Sequence, residues 1–266
     1  MVQQNSAVAV KHKVERYDLS NLDRPFGDRW VTMSNALTRA GHGLTLGEKR
    51  LVMLALSKLD SRRAVKPGDV LTTKITAQEY AELTQCAMQT AYQALQDAAK
   101  NLFNRKITFF ELSTKYNKKI SQPSRTDMRW VGRCKYLQDE GCVELAWWPE
   151  LLPSLIGLQR QFTSYQLKQA SALRSVYSWR LLELLMKFQA TGWAEYTIED
   201  YAVAMDATEK QCENFNNIKR RMIVPAVKEL TEKNGWLIEW RPIKKGRRVA
   251  ALRFAFQRNP QGQLHL

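Results

Sequence analysis

The sequence predicts an α+β protein made of two tandem winged helix-turn-helix domains related by internal duplication. Two observations support this fold class: one hexapeptide pattern occurs twice, and the same order of helices and strands surrounds each copy. The chain has 266 residues, which exceeds the usual size of a single domain. Because 44% of the residues are hydrophobic, each half can bury a core of its own.

The first helix of the N-terminal half is predicted to begin after Leu44. Thr45 and Glu48 have the spacing of a capping box, in which the hydroxyl and the carboxylate each accept from a backbone amide of the other residue. The apolar residues that follow recur at helix-face spacing and comprise Leu51, Leu54, Ala55 and Leu59. Pro67 and Gly68 end this pattern.

The hexapeptide Thr-Ala-Gln-Glu-Tyr-Ala, which begins at Thr76, predicts the start of a short second helix. After a break near residues 84–85, a longer helix carries its apolar residues on one face: Tyr92, Leu95, Ala99 and Leu102. Strands are predicted at residues 107–112, 128–135 and 142–147 from their aromatic and β-branched content. The stretch 113–126 between the first two strands contains no acid and four cations: Lys115, Lys118, Lys119 and Arg125.

The C-terminal half repeats this order. A helix over residues 175–189 is predicted to present Leu181, Leu184, Leu185 and Phe188 on one face. The hexapeptide Thr-Ile-Glu-Asp-Tyr-Ala begins at Thr197, and a break at 207–211 leads to a long helix through Ile218, Met222, Val227 and Leu230. Asn234 and Gly235 close that helix. Strands at 236–241 and 249–256 then flank a turn at 244–247.

These elements predict four segments. Residues 1–28 form a flexible basic arm, residues 29–162 the N-terminal winged-helix domain, residues 163–258 the C-terminal winged-helix domain, and residues 259–266 a tail. The arm is assigned from its weak apolar periodicity and its cations, Lys11, Lys13, Arg16 and Arg24.

Charge indicates the class of partner. The chain has 41 Lys and Arg against 26 Asp and Glu, a formal net charge of +15 and a pI near 9.8. A polyanion relieves this self-repulsion and releases counterions, so nucleic acid is the leading candidate. An anionic membrane surface and a merely basic protein with no such partner are the alternatives. No apolar run reaches the ~18 residues of a spanning helix, and the polar Gln3, Gln4 and Asn5 argue against a secretory signal. A cytoplasmic protein without membrane contact is expected.

Two groups of residues are the predicted DNA-binding site. The first lies at the start of the long C-terminal helix and comprises Asn216, Asn217, Lys219, Arg220 and Arg221. Arginine can bind guanine O6 and N7 through two hydrogen bonds, and asparagine can bind adenine in the same way. The second group, in the following turn, comprises Lys244, Lys245, Arg247 and Arg248. We expect it to hold the phosphate backbone or a minor groove. The alternatives are a solvated helix face and a turn that protects an edge strand.

The corresponding N-terminal helix is a weaker candidate, because it offers Met88, Gln89, Thr90, Gln93, Gln96 and a single cation, Lys100. A minor DNA role and a larger part in dimerisation, through the larger sheet of this domain, are predicted for it.

No catalytic residue, metal ion or cofactor is expected. The cysteines, Cys86, Cys134, Cys142 and Cys212, have no zinc-site spacing, and the histidines, His12, His42 and His265, lie far apart. A rolling-circle nicking enzyme needs closely spaced histidines to hold a metal, and a nucleotide-binding loop needs a glycine-rich signature that this chain lacks. Asp139 and Glu140 are most simply solvated, and Trp147 and Trp148 are assigned to packing rather than to base stacking.

The chain resembles the iteron-binding replication initiators of bacterial plasmids, the initiator of the fertility plasmid F among them. The resemblance rests on residues 151–163 (Leu-Leu-Pro-Ser-Leu-Ile-Gly-Leu-Gln-Arg-Gln-Phe-Thr), on the helix-face run 177–185 and on the turn Lys-Lys-Gly-Arg at 244–247. The order of helices and strands matches over residues 31–256. The helix of the first domain that carries Met88 to Lys100 departs from the family, because it is poor in cations.

The resemblance implies a protein that binds directly repeated origin sites as a monomer and represses its own gene as a homodimer on an inverted repeat. It also implies the host initiator ATPase and the replicative helicase as partners. By position, Lys219, Arg220 and Arg221 match the basic cluster of the family's recognition helix, and residues 245–247 match its wing. A dimeric winged-helix repressor with no role in initiation remains the alternative.

Overall fold

The computed structural model describes residues 21–111 and 124–259. The helices are α1 (Asn35–Arg39), α2 (Leu46–Leu56), α3 (Ala77–Thr84), α4 (Met88–Leu102), α5 (Lys168–Ser171), α6 (Val176–Met186), α7 (Ile198–Ala204), α8 (Glu209–Cys212), α9 (Phe215–Ile218) and α10 (Val224–Asn234). The strands are β1 (Trp30–Ser34), β2 (Thr72–Thr76), β3 (Lys106–Glu111), β4 (Ser124–Arg129), β5 (Val131–Leu137), β6 (Cys142–Trp147), β7 (Phe162–Gln166), β8 (Trp193–Thr197), β9 (Trp236–Lys245) and β10 (Arg248–Arg258).

The same arrangement of helices and strands occurs twice, which confirms the two winged-helix domains. In each copy a short strand ends at the threonine that caps the next helix, and this strand pairs antiparallel with the last strand of the hairpin. The sheet orders are β2-β6-β5 and β8-β10-β9, with Thr76 opposite Cys142 in the first and Thr197 opposite Ala251 in the second. Each copy therefore has the order helix, strand, short helix, long helix, hairpin. The β3–β4 pair is inserted before the hairpin in the first copy, and the short helices α8 and α9 precede α10 in the second.

The caps predicted from the sequence are present. Thr45 with Glu48 and Thr76 with Glu79 form complete capping boxes, and the Thr197 hydroxyl accepts from the amide of Asp200. These bonds satisfy backbone donors that the first turn of a helix leaves without an internal partner. α2, α3 and α7 therefore begin where their local sequence requires.

The prediction of one strand over residues 128–135 is wrong. β4 pairs with β3, whereas β5 belongs to the sheet of β2 and β6, and Trp130 separates them. The Trp130 indole is fully buried, and its Nε1 donates to the carbonyl of His42 at 3.0 Å. Turning this side chain into the core divides the strand in two. The predicted cations Lys115, Lys118 and Lys119 lie outside the described residues.

Part of the predicted flexible arm is folded. Residues Asn21–Asp23 and Phe26–Asp28 form two 3-10 turns, and the Asn21 side chain bonds to the amide and carbonyl of Trp30 and to the carbonyl of Ser57. Residues 21–28 are therefore packed on the first domain, residues 1–20 lie outside the described part of the chain, and the flexibility of the arm stays a prediction. β1 then pairs with β7 in full antiparallel register. The boundary at residues 162–163, where β7 begins, stays a prediction.

Helix α6 is buried on all sides, whereas the sequence predicted a single buried face. Its residues from Ser178 to Met186 are all buried, including Arg180 and Glu183. It packs against β7, α1 and α10. One hydrophobic core, which runs from Val31 to Phe256, consequently connects the two winged-helix domains.

Candidate nucleic-acid interface

The second helix-turn-helix is built from short capped pieces. α7 ends in a turn in which Asp206 has a positive φ of 51°, and Thr208 and Gln211 then form a capping box for α8. The sequence predicted a break at 207–211, and the structure places this short helix there. Asn214 caps α9, because its side-chain oxygen accepts from the amide of Asn216 at 2.8 Å. Asparagine and threonine at these positions satisfy the free amides of each helix start.

The long helix predicted through Ile218 and Leu230 contains a π-helical turn at Lys219–Ile223. The amide of Val224 donates to the carbonyl of Lys219, five residues back, and Pro225 follows at once. Proline has no N–H, so Pro225 cannot donate the hydrogen bond that an α-helix would form at this position. The five-residue hydrogen bond of the π-helical turn occurs directly before this missing donor. Pro225 was the sequence signal for this irregularity.

The predicted base-contacting residues lie on the solvent side of this helix. Asn216, Lys219, Arg220 and Arg221 are exposed. Ile218 and Met222, before and after the three cations, are buried and hold the helix on the core. Asn217 differs from the others, because it is half-buried and its Nδ2 donates to the carbonyl of Lys210 at 3.3 Å. We call the segment 216–221 the recognition segment.

The turn between β9 and β10 presents the second predicted group. Lys244, Lys245, Arg247 and Arg248 are all exposed. Gly246 has a φ of 64°, a left-handed conformation that glycine adopts at low cost in a tight turn. No other atom lies within 4 Å of the position that a Cβ would occupy there. Lys245 stands directly opposite Arg248 in the strand register, a pairing of like charges that destabilises a hairpin. We call residues 244–248 the wing tip.

The cations of the recognition segment and the wing tip have no acidic partner among the described residues. Three other cations of the same domain do: Lys228 pairs with Glu232, Lys233 with Glu229, and Arg253 with Glu195. Seven cations without an ionic partner among the described residues thus lie at the start of the long helix and at the tip of the hairpin, and other exposed cations of the domain, Lys210 and Arg241 among them, are also unpaired. An arrangement of this kind is suited to a polyanion.

Helix α4, the equivalent helix of the first domain, has a different surface. Met88, Gln89, Thr90, Gln93 and Lys100 are exposed, and Gln96 is half-buried. Gln93 donates to Asp97 on the next turn, so part of its polar surface is used within the helix. Lys100 is the one cation of α4.

The remaining sequence candidates have packing roles or lie on the surface. Trp147 is buried and its Nε1 donates to the Thr73 hydroxyl at 2.9 Å, while Glu140 is exposed and pairs with Lys74. None of the four cysteines forms a disulfide. Within residues 21–111 and 124–259, no group of three His, Cys, Asp or Glu side chains is placed to hold a metal ion. In the same residues, no helix is both long enough and apolar enough to cross a bilayer.

The fold and these exposed cations define a protein with two winged helices and, in the second, unpaired cations on the recognition segment and on the wing tip. Residues 30–186 match the family model described as "Initiator Replication protein, WH1", and residues 197–256 match "Initiator Rep protein, WH2". The chain belongs to this family of replication initiator proteins.

Individual relatives agree with the family. An uncharacterized 27.6 kDa protein of Escherichia coli is 26% identical over 221 residues, which cover 79% of this chain and 88% of that protein. A replication initiation protein of Escherichia coli is 22% identical over 205 residues, 75% of this chain but 61% of the relative. The crystal structure of the Pi initiator protein in complex with iteron DNA has a TM-score of 0.68 at 22% identity, covering 86% of this chain and 97% of that one. At that identity the structural likeness concerns the fold.

Proposed function

We propose that this protein is a plasmid replication initiator that binds repeated sites in double-stranded origin DNA. The observation that carries the proposal is the set of unpaired cations on the recognition segment and the wing tip. Membership of the initiator family and the fold shared with an initiator that was crystallised with iteron DNA support it. The protein acts by binding, without a catalytic site of its own.

In this proposal the recognition segment enters the major groove. The N-terminal residues of a recognition helix reach base edges, and Asn216, Arg220 and Arg221 are exposed there with donors that suit adenine and guanine. Lys219 lies next to them and suits a phosphate. Asn217 supports the segment through its bond to the Lys210 carbonyl instead of contacting a base.

The wing tip holds the DNA backbone. Lys245 and Arg248 repel each other across the hairpin, and phosphate oxygens between them would remove that cost. Backbone contacts fix the position of a protein on the duplex and carry no sequence information by themselves. Lys244, Lys245, Arg247 and Arg248 therefore supply affinity and salt dependence.

The proposal extends to two oligomeric states. As implied by the family, monomers bind direct repeats at the origin, and homodimers bind an inverted repeat and repress the protein's own gene. The host initiator ATPase and the replicative helicase are the protein partners in the first state. Selection of bound sequences from random duplex DNA tests this assignment, because tandem or inverted spacing of the selected sites reports the state that binds.

The recognition segment is tested by replacing Arg220 and Arg221 with alanine. Removal of each guanidinium that binds a base should cost about 1–3 kcal/mol, and the preference for the selected site over unrelated duplex should disappear. The measurement is a mobility-shift titration of both duplexes at one salt concentration.

The matched control is Lys228→Ala with Lys233→Ala. It removes the same charge from the same helix, at cations that already pair with acids. This control should keep the sequence preference. Undiminished preference in the Arg220 and Arg221 double variant would show that another element contacts the bases.

A further inference from the structure

A buried guanidinium joins the two winged-helix domains. Arg180 on α6 is 1% exposed, and its Nη2 donates to the carbonyls of Thr38 and Ala40 at 2.9 and 2.8 Å. Its Nε donates to the carbonyl of Ala204, the last residue of α7, at 2.7 Å. One side chain thus binds the carboxyl ends of α1, in the first domain, and of α7, in the second.

Asp206 makes a second connection two residues beyond α7. Its Oδ1 accepts from the amide of Gly43 at 3.0 Å, and its Oδ2 accepts from the amide of His42 at 3.2 Å. A Cβ placed on Gly41 would lie only 2.9 Å from Asp206 Oδ1, and one on Gly43 only 2.9 Å from the carbonyl of Lys106. The loop 41–43 thus contacts this exposed carboxylate through two backbone amides and through the space left by the missing side chain of Gly41.

This contact connects to the β3–β4 pair in the first domain and to the helix-turn-helix in the second. In the first domain, Gly41 exchanges backbone hydrogen bonds with Thr108 at 2.9 and 2.8 Å, which fixes the loop to the β3–β4 ribbon. In the second domain, Thr208 follows Asp206 by two residues and caps α8, which leads into the recognition segment. The contact at Asp206 thus links the ribbon of one domain to the helix-turn-helix of the other.

We propose that Asp206 is a positioning residue for DNA recognition: by holding loop 41–43 against the turn between α7 and α8, it fixes the spacing at which the two domains meet the duplex. This inference rests on the proposed function and on the minor DNA contact that the sequence predicts for helix α4 of the first domain. Two binding units held rigidly at the correct spacing gain affinity together and lose that gain when the spacing of their sites is wrong.

The test uses duplexes that the wild-type chain selects from random DNA, with base pairs inserted between the footprints of the two domains. Insertion should lower wild-type affinity by about tenfold or more, and that of Asp206→Ala by a distinctly smaller factor, since Arg180 and the shared core still connect the domains. Amide exchange of His42 and Gly43 should accelerate in Asp206→Ala, since their acceptor is gone. Asp200→Ala, which removes an exposed acid from α7, is the charge-matched control and should respond to insertion as the wild type does.

Gly41→Ala perturbs the contact from the other domain, which keeps the test valid if Asp206→Ala does not fold. The added methyl meets the carboxylate, so this variant should also tolerate insertion. With Asp206→Ala present it should have no further effect, because the atom it meets is absent.

The outcomes separate the two proposals. If the wild type selects no duplex, the proposed function fails. If the wild type binds but tolerates insertion, or if Asp206→Ala and Gly41→Ala are penalised by insertion as severely as the wild type, the positioning role of Asp206 is wrong.

Discussion

The buried His42 ring lies beside two cations, Lys49 and Arg180. Its Nε2 lies 2.8 Å from the Leu37 carbonyl, which needs a donor, so Nε2 carries the proton and Nδ1 accepts from Lys49 Nζ at 3.0 Å. Burial first, and then the charges of Arg180 and Lys49, hold the pKa of His42 well below its ordinary value of 6.5. Burial likewise lowers the pKa of Lys49 to about 8, although Glu183 opposes this shift. His42 is therefore neutral in the folded protein at neutral pH.

Stability should consequently decrease as the pH falls below about 6.5. In that range the unfolded chain takes up a proton on His42 that the folded chain cannot accept, so the free energy of unfolding falls by up to about 1.4 kcal/mol per pH unit. Above pH 6.5 both states hold the neutral ring and this contribution is constant. Urea unfolding at pH 7.5, 6.5 and 5.5 measures the slope. His42→Gln should be less stable overall but should show a smaller slope, and equal slopes would contradict this assignment.

At the scale of elements, the wing tip is a hairpin whose charges oppose its own folding. Lys245 stands opposite Arg248, and Arg247 lies in the turn between them, all exposed. Replacing Lys245 and Arg247 with alanine should leave the sequence preference intact. The slope of log affinity against log salt should become shallower by about one unit for each phosphate that the variant no longer binds.

Titrations over a range of salt concentrations measure this slope. The variant with Lys228→Ala and Lys233→Ala again serves as control, since it should keep the wild-type slope. If the wing variant lost sequence preference instead of salt dependence, the wing tip would be a base-contacting element.

At the scale of the whole molecule, the continuous core and one ionic network make the two domains a single folding unit. Glu183 is fully buried, and its carboxylate contacts Lys49 at 2.8 Å, Arg180 at 2.7 Å and the Tyr165 hydroxyl at 2.9 Å. Burial raises the pKa of Glu183, but Lys49 and Arg180 outweigh this effect and lower it overall. Its negative charge compensates two cations, Arg180 of the same helix and Lys49 of α2.

Glu183→Gln should therefore destabilise the protein by about 3–5 kcal/mol, because it leaves buried cations without a counter-charge. Both domains should still unfold in one transition, shifted to lower denaturant concentration. Glu195→Gln, which breaks the exposed pair with Arg253, should cost only about 0–1 kcal/mol. Separate transitions for the two domains in the wild type would show that the core does not couple them.

The sequence by itself determined the elements that depend on neighbours within a few residues. The capping residues Thr45, Thr76 and Thr197, the turn at Gly246 and the cations beside it act through local hydrogen bonds, local backbone conformation and local charge. The winged-helix order and the predicted recognition segment follow from such signals. The dimer, the domain boundary at 162–163 and the DNA contacts stay predictions.

Only the tertiary structure decided the short strands and the charged residues that connect the two domains. Burial alternates along β2, β7 and β8, but the buried positions include Thr73, Thr163 and Ala194, so the sequence shows no clear apolar alternation. The partners of these short strands also lie far away in the chain, as Val31 and Tyr165 of β1 and β7 do. Arg180, Glu183 and Asp206 look like ordinary surface charges in the sequence. They connect segments that lie far apart in the sequence, and Arg180 and Glu183 are buried there. Local periodicity contains no information about which distant segments meet.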